Sequence, residues 1–282
     1  MGSVSVGLVT IYLNGAITDE SQARVSVFDH GLTVGDGVFE TVKVTGGVPF
    51  ALTRHLRRLA RSAEGLGLPA PDLDAISTGT RDLLKACGSP DTARMRITVT
   101  GGAGPLGSQR GHEPPTVVIA LAELNDWGSA CDVVMAPWLR NERGALTGIK
   151  TTSYAENVRA LAYAAGRGGS EALFANTRGN LCEGTGTNVF LVIDGELVTP
   201  PLSSGCLAGV TRGLVLEWVG AAERDVPVAA LATASEAFVT STTRDVQPIR
   251  TVDGRELPAA PGPVTRKAAQ VFATRAAQSP DP

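Results

Sequence analysis

The chain has 282 residues, of which 43% are hydrophobic and 19% are charged. This composition provides enough apolar side chains for one or two buried cores and excludes general disorder. The 25 basic residues nearly balance the 28 acidic residues, and the net charge of -3 excludes the strongly basic surface that attracts nucleic acids or anionic membranes.

The predicted elements begin with a strand over residues 8–13, which Asn14-Gly15, a dipeptide that favours β-hairpins, would close. Gly46-Gly47 separates two β-rich runs, so a second hairpin is predicted over residues 39–44 and 48–52. Apolar residues then recur at helical spacing and predict a helix over residues 56–66 that ends at Gly65 and Gly67. The amino-terminal half continues with a predicted helix over residues 72–86 and strands over residues 94–100 and 116–121.

The glycine-rich stretch over residues 101–111 predicts an exposed and mobile loop between the last two of these strands. Residues 122–131 are interpreted as a linker between a smaller amino-terminal domain (residues 1–121) and a larger carboxy-terminal domain (residues 132–282). For the remainder, the pattern predicts strands over residues 131–138, 171–176 and 237–240, a hairpin over residues 188–193 and 196–199, and helices over residues 154–165, 208–219 and 264–277.

The mixture of hairpins and helices predicts an α/β (α+β) fold and argues against a purely parallel, doubly wound sheet. Gly35-Asp36-Gly37 and Gly184-Thr185-Gly186 do not continue as G-x-G-x-x-G, which argues against a nicotinamide-dependent dehydrogenase. Residues 1–4 begin no signal-peptide pattern and no long apolar run follows, so we expect a cytoplasmic protein without a membrane span. Four widely spaced cysteines and three scattered histidines predict reduced thiols and no metal site.

Three short stretches carry residues suited to binding a phosphate. Gly209-Val210-Thr211 begins a predicted helix, where backbone N–H groups and a hydroxyl can bind an anion. Thr242 lies in a run of four hydroxyl residues after a predicted strand, and Arg58 lies on a predicted helix. Each feature taken alone equally fits an ordinary helix cap, a polar loop or a charged helix face.

Two further residues are suited to amine chemistry. Lys150 lies between an apolar residue and small hydroxyl residues near the start of a predicted helix, where a partly desolvated amine can act as a nucleophile or base. Glu183 precedes a tight turn of small residues. The alternatives are a surface lysine and an exposed glutamate in a turn.

Six motifs follow one another along the chain: FDHGLTVGDGVFET at residues 28–41, HLRRL at 55–59, KTTSYAENVRAL at 150–161, EGTGTNVFLV at 183–192, LAGVTR at 207–212 and STTRDVQPI at 241–249. In their order and spacing these motifs make the chain resemble the class IV aminotransferases, the fold-type IV enzymes that use pyridoxal 5'-phosphate (PLP). The resemblance runs from about residue 12 to residue 263.

The resemblance implies a two-domain enzyme with the cofactor in the cleft between the domains, a small-molecule amino substrate and a homodimer. It matches Lys150 to the catalytic lysine that binds the cofactor covalently and moves protons, and Glu183 to the carboxylate that faces the pyridine nitrogen. It matches a further set of residues to those that bind the cofactor phosphate: Arg58, Val210, Thr211 and Thr242.

The resemblance leaves more than one reaction open. D-amino acid transaminases carry a carboxylate-binding arginine in a V-T-R-G segment, where this chain has Gly101. Branched-chain aminotransferases carry Asn-Tyr shortly after the lysine, whereas this chain has Ser153-Tyr154. The KTTSYAEN motif and the glycine-rich loop look more like chains described as aminodeoxychorismate lyases.

We therefore expect a 4-amino-4-deoxychorismate lyase that releases pyruvate and forms 4-aminobenzoate, a step of folate biosynthesis. The alternative is an aminotransferase that acts on branched-chain or other amino acids. A more remote alternative is a protein that binds PLP without catalysis, and the presence of both Lys150 and Glu183 argues against it.

Overall fold

The computed structural model describes residues 10–282. The predicted strand over residues 8–13 is therefore seen only from Thr10 onward, and the signal-peptide prediction for residues 1–4 lies outside the described residues. Within the described part, no helix has the length and apolar character needed to cross a membrane. The chain forms two compact units: residues up to Leu124 with Ile149–Ser153 and Asp281, and Asn125–Gly148 with Tyr154–Pro280 and Pro282.

The first unit is an antiparallel sheet of six strands, in the order β2-β1-β6-β5-β3-β4, with three helices. Its strands are β1 (Thr10–Leu13), β2 (Ala16–Asp19), β3 (Gly37–Thr45), β4 (Val48–Pro49), β5 (Thr92–Thr100) and β6 (Val117–Ala122), and its helices are α1 (His30–Thr33), α2 (Leu52–Leu66) and α3 (Leu73–Ala86). Side chains from the sheet and from α2 and α3 form one apolar core, which includes Val42, Leu59, Leu83 and Met95.

Most of the predicted elements of this unit are confirmed, with differences at turns. The strand predicted over residues 48–52 is shortened to β4, because Ala51 takes a left-handed conformation (φ 54°) and α2 begins at Leu52. Gly65 lies inside α2, and only Gly67 (φ 72°) ends it. The loop over residues 101–111 contains no helix or strand, but Ala103 makes an isolated bridge with Asp29.

The second unit is a mixed sheet of nine strands, in the order β12-β11-β10-β13-β14-β7-β8-β9, with β15 paired to β14. Its strands are β7 (Cys131–Met135), β8 (Glu171–Ala175), β9 (Leu181–Gly184), β10 (Asn188–Ile193), β11 (Glu196–Thr199), β12 (Ala222–Glu223), β13 (Glu236–Ser241), β14 (Asp245–Val252) and β15 (Arg255–Glu256). Its helices are α4 (Ala155–Ala165), α5 (Val210–Trp218) and α6 (Pro263–Gln278), with short 3-10 helices at Leu202–Ser204 and Val228–Ala232. The fold is thus mixed α/β, as predicted.

One long strand of this unit is absent from the sequence prediction. β14 pairs with β13 on one side and with β7 on the other, although it contains Pro248. A proline lacks a backbone donor and is unusual inside a sheet, so the sequence pattern argues against a central strand here. The pairing of β14 with β7 is irregular between Ile249 and Thr251, directly after the proline.

Candidate active site

Lys150 lies in the first unit, on a short segment that runs beside β3. Its carbonyl oxygen accepts the N–H of Phe39 at 2.9 Å, and the N–H of Thr152 donates to the carbonyl of Gly37 at 2.8 Å. These two hydrogen bonds fix the backbone from Lys150 to Thr152 beside β3. Its Nζ lies 4.4 Å from the centroid of the Phe39 ring, a distance at which an ammonium is attracted to an aromatic face.

Arg58 lies in a buried cluster with Glu40 and His55, two residues to which the sequence assigned no role. The Nε and Nη2 of Arg58 donate to the two carboxylate oxygens of Glu40 at 2.8 and 2.6 Å. The Nδ1 of His55 lies 2.7 Å from Glu40 Oε2. All three residues are buried, so this cluster fixes the position of Arg58, which is predicted to bind the phosphate.

The cluster has a defined charge. Burial alone would raise the pKa of Glu40, but the charge and hydrogen bonds of Arg58, with the hydrogen bond to His55, outweigh burial and lower it to about 2. Burial is the main reason why the pKa of His55 is lowered from its usual value. A neutral histidine therefore accompanies an ion pair. Glu40 and His55 both lie in the quoted family motifs, and Glu40 is also a carboxylate within the otherwise apolar start of β3.

We expect the first unit to lose stability in acid because of this cluster. Glu40 contributes stability that is complete above its usual pKa of 4.5 and is lost as the pH falls from 4.5 toward 2, about 3 kcal/mol in total. His55 acts in the same direction, because protonation below its usual pKa of 6.5 favours the unfolded chain. Urea unfolding across this pH range should show the loss. A Glu40→Gln variant with the same slope as the wild type below pH 4.5 would contradict it.

Glu183 lies in the second unit, on β9, with both carboxylate oxygens next to donors. Its Oε2 accepts the backbone N–H of Leu207 at 2.9 Å, and its Oε1 lies 3.7 Å from the Nε of Arg140. The next residue is Gly184, where a Cβ would collide with Thr187 Oγ1, so the turn favours glycine. Glu183 is thus a largely buried carboxylate held between a backbone donor and a guanidinium.

The phosphate residues Val210 and Thr211 form the first turn of α5. The N-cap residue, Gly209, supplies no side-chain hydrogen bond to this turn, and both residues are buried. The first N–H groups of a helix have no acceptor within the helix, so they suit an anion. A Cβ at Gly209 would collide with Asn188 Oδ1, which explains the glycine at this helix start.

The structure links the predicted site residues of each unit. In the second unit, Asn188 donates to Leu207 O at 2.9 Å and pairs with Thr240 on β13, two residues before Thr242. The Glu183 contact, the start of α5 and the end of β13 therefore lie around Asn188. In the first unit, the N–H of Lys150 donates to Ser62 Oγ at 3.2 Å, one helical turn beyond Arg58 on α2.

The amino-transferase class IV family model matches residues 37–252. The chain belongs to this family. The match includes β3, Lys150, Glu183 and α5. Members of the class IV aminotransferase family depend on PLP, so this chain is a PLP-dependent enzyme.

Relatives of this class IV aminotransferase extend over nearly its whole length. A protein of Methanocaldococcus jannaschii, named "Putative branched-chain-amino-acid aminotransferase", is 34% identical over 267 residues, covering 87% of this chain and 88% of the relative. The D-alanine aminotransferase of Staphylococcus haemolyticus is 30% identical over 288 residues, covering 94% and 97%. The structure of the branched-chain aminotransferase from Thermoproteus uzoniensis with norvaline has a TM-score of 0.88 at 29% identity, covering 95% and 94%.

These relatives change the expected reaction. All three are named as aminotransferases, one of them with the qualifier "Putative", so the alternative derived from the sequence fits better than the lyase. They give no support to the release of pyruvate, the formation of 4-aminobenzoate or a step of folate biosynthesis. The lyase expectation relied on the KTTSYAEN motif and the glycine-rich loop, most of which lies outside the residues assigned to cofactor chemistry.

Proposed function

We propose that this class IV aminotransferase transfers the amino group of a branched-chain L-amino acid to a 2-oxo acid. The surroundings of Gly101 carry this choice: a Cβ there would lie 2.5 Å from Asp36 Oδ2. The same oxygen accepts the Nε of Arg110 at 2.7 Å. An arginine at position 101, like the one that binds the carboxylate in D-amino acid transaminases, would need the Asp36 carboxylate to move and would compete with Arg110 for it.

The candidate site residues have the chemistry that PLP requires. The helix-start N–H groups at Val210 and Thr211 suit a phosphate, and the family resemblance adds the hydroxyl of Thr242 and the charge of Arg58. A buried carboxylate next to a guanidinium, as at Glu183, suits a protonated ring nitrogen. We infer that Lys150 binds the aldehyde. PLP, when bound, supplies an electron-withdrawing ring that stabilises negative charge at the substrate carbon.

In this proposal each side chain has a separate task. With PLP bound, Lys150 would hold its aldehyde covalently, and the freed amine would take the proton from the substrate Cα and deliver it to C4' of the cofactor. The backbone hydrogen bond from Phe39 to Lys150 would hold the Lys150 Cα in place during this exchange. Glu183 would accept a hydrogen bond from the protonated ring nitrogen of the cofactor. The phosphate residues anchor the far end of the cofactor.

A parallel assay tests the proposed reaction. Purified protein with PLP and 2-oxoglutarate should form glutamate from L-leucine, L-isoleucine or L-valine faster than from D-alanine. The second candidate is a D-alanine aminotransferase, which the 30% identity to the Staphylococcus haemolyticus enzyme favours. Faster transfer from D-alanine would support the D-alanine aminotransferase. Release of pyruvate with 4-aminobenzoate from aminodeoxychorismate would instead support the lyase.

We also propose that the enzyme is a homodimer. An apolar patch over residues 25–34 is open to solvent in the single chain, with Val27 and Leu32 each 69% exposed. The other exposed members are Val25, Phe28 and Val34. Large exposed apolar patches are typical of interaction sites. The patch overlaps the first family motif and comes directly before β3, whose Val38 bridges Thr151, the residue after Lys150. A second copy bound here would therefore order a segment close to Lys150.

We expect light scattering at micromolar concentration to give twice the chain mass. Stable homodimers bury about 2,000 Å² or more, so the two chains should stay associated at this concentration. Aspartate in place of both Val27 and Leu32 would put charges into the patch and should produce a monomer. Val48→Asp, at an exposed apolar residue of the same unit outside the patch, is the matched control. A wild-type enzyme that is fully active as a monomer would refute the dimer.

A further inference from the structure

Arg140 is held rigidly in the second unit and lies outside all six family motifs. Its backbone N–H donates to Ala175 O at 2.8 Å, at the end of β8. Its guanidinium lies over the ring of Phe174, with 4.2 Å between Cζ and the ring centroid. Stacking on an aromatic ring limits the rotation of an arginine side chain and leaves its N–H edges available to polar partners.

The N–H edges of Arg140 point to two different elements. Its Nη2 donates to Asn157 Oδ1 at 3.0 Å, and its Nη1 pairs with Glu156, both on α4. Its Nε is buried and makes no hydrogen bond to any described residue. The Oε1 of Glu183 lies 3.7 Å from this Nε. The helix therefore orients the guanidinium, and the remaining donor faces the carboxylate assigned to the cofactor.

Glu183 needs such a neighbour for its proposed task. A carboxylate at this position accepts a hydrogen bond from a protonated pyridine nitrogen, whereas a carboxylic acid would donate its own proton and leave the ring neutral. The Leu207 N–H already supports one oxygen at 2.9 Å. The positive charge of Arg140 near the other oxygen favours the ionised form of this largely buried carboxylate.

We propose that Arg140 is a positioning residue, which keeps Glu183 ionised and oriented toward the pyridine nitrogen of the cofactor. This inference rests on the proposed role of Glu183. Arg140 acts through Glu183, whose Oε1 lies 3.7 Å from its Nε. Glu156 competes with Glu183 for the same guanidinium, so its removal should leave more of the Arg140 charge for Glu183.

The test compares the affinity of the apo-protein for PLP with its affinity for 1-deaza-PLP, in which a carbon replaces the ring nitrogen. The ratio of the two dissociation constants measures the pairing at that nitrogen and needs no turnover. Arg140→Gln should lower the preference for PLP about 10- to 100-fold, by analogy with the loss seen when the hydrogen-bond partner of a metal-binding side chain is removed. Arg140→Lys should restore most of the preference for PLP over 1-deaza-PLP, and Glu156→Gln should keep or increase this preference.

The matched control is Arg159→Gln, which removes another arginine stacked on an aromatic ring, that of Trp138. It should leave the preference unchanged. If Arg140→Gln fails to fold, Arg140→Met takes its place, since it keeps the contact with Phe174. A folded neutral variant with the wild-type preference would overturn the role of Arg140, provided that Glu183→Gln lowers the preference. If Glu183→Gln has no effect either, the proposed role of Glu183 fails with it.

Discussion

Lys150→Ala is expected to reduce amino transfer by at least about 10²- to 10⁴-fold, the range that a positioned proton-transfer group contributes by itself. The chain contains only four lysines, and the backbone hydrogen bonds of Lys150 to Phe39 and Ser62 fix it beside β3. The variant should still bind PLP without a covalent bond, because the phosphate residues are intact. Its steady-state rate with the preferred amino donor measures the effect.

Chemical labelling identifies the same residue independently of rate. Borohydride reduction of the holoenzyme should attach the pyridoxyl group to the peptide that contains Lys150, and the Lys150→Ala variant should take up no label. Lys85→Ala, at an exposed lysine on α3, is the control and should keep both activity and label. A label on Lys43, Lys85 or Lys267 would show that the assignment of Lys150 is wrong.

Local turn chemistry made much of the fold predictable. Asn14-Gly15 and Asp194-Gly195 close β1–β2 and β10–β11 where the sequence predicted hairpins. In both turns the first residue has a positive φ, 49° for Asn14 and 53° for Asp194, which asparagine and aspartate tolerate better than most residues. Such signals are contained in two adjacent residues, so no knowledge of the rest of the chain is needed.

Tertiary pairing explains what the sequence did not reveal. β14 has partners on both sides despite Pro248, and one of them, β7, lies far away in the chain. Likewise, the ion pair of Arg58 with Glu40 joins a helix to a strand, and the contact of Arg140 with Glu183 joins residues on separate segments of the second unit. A motif shows which residue types are present, whereas the charge that a side chain carries depends on neighbours that only folding brings together.

The charge at position 183 leads to the second large expected effect. Glu183→Gln keeps the shape of the side chain and its acceptor for the Leu207 N–H, but removes the negative charge. We expect the catalytic rate to fall about 10²- to 10³-fold, as when one preorganised electrostatic contact is lost, while PLP remains bound through Lys150 and the phosphate residues.

This combination separates the proposed task of Glu183 from a structural one. A merely structural glutamate would lower stability or cofactor content, and saturating PLP would recover the rate. A glutamate that maintains the protonated ring loses rate at full occupancy, because the neutral ring withdraws electrons less strongly from the substrate Cα. The absorbance of bound cofactor confirms occupancy, and single-turnover kinetics with the preferred amino donor measures the chemical step. Near-normal turnover of the saturated variant would refute this role. The Arg140→Gln variant should lie between wild type and Glu183→Gln in rate, because it weakens the charge at Glu183 without removing it.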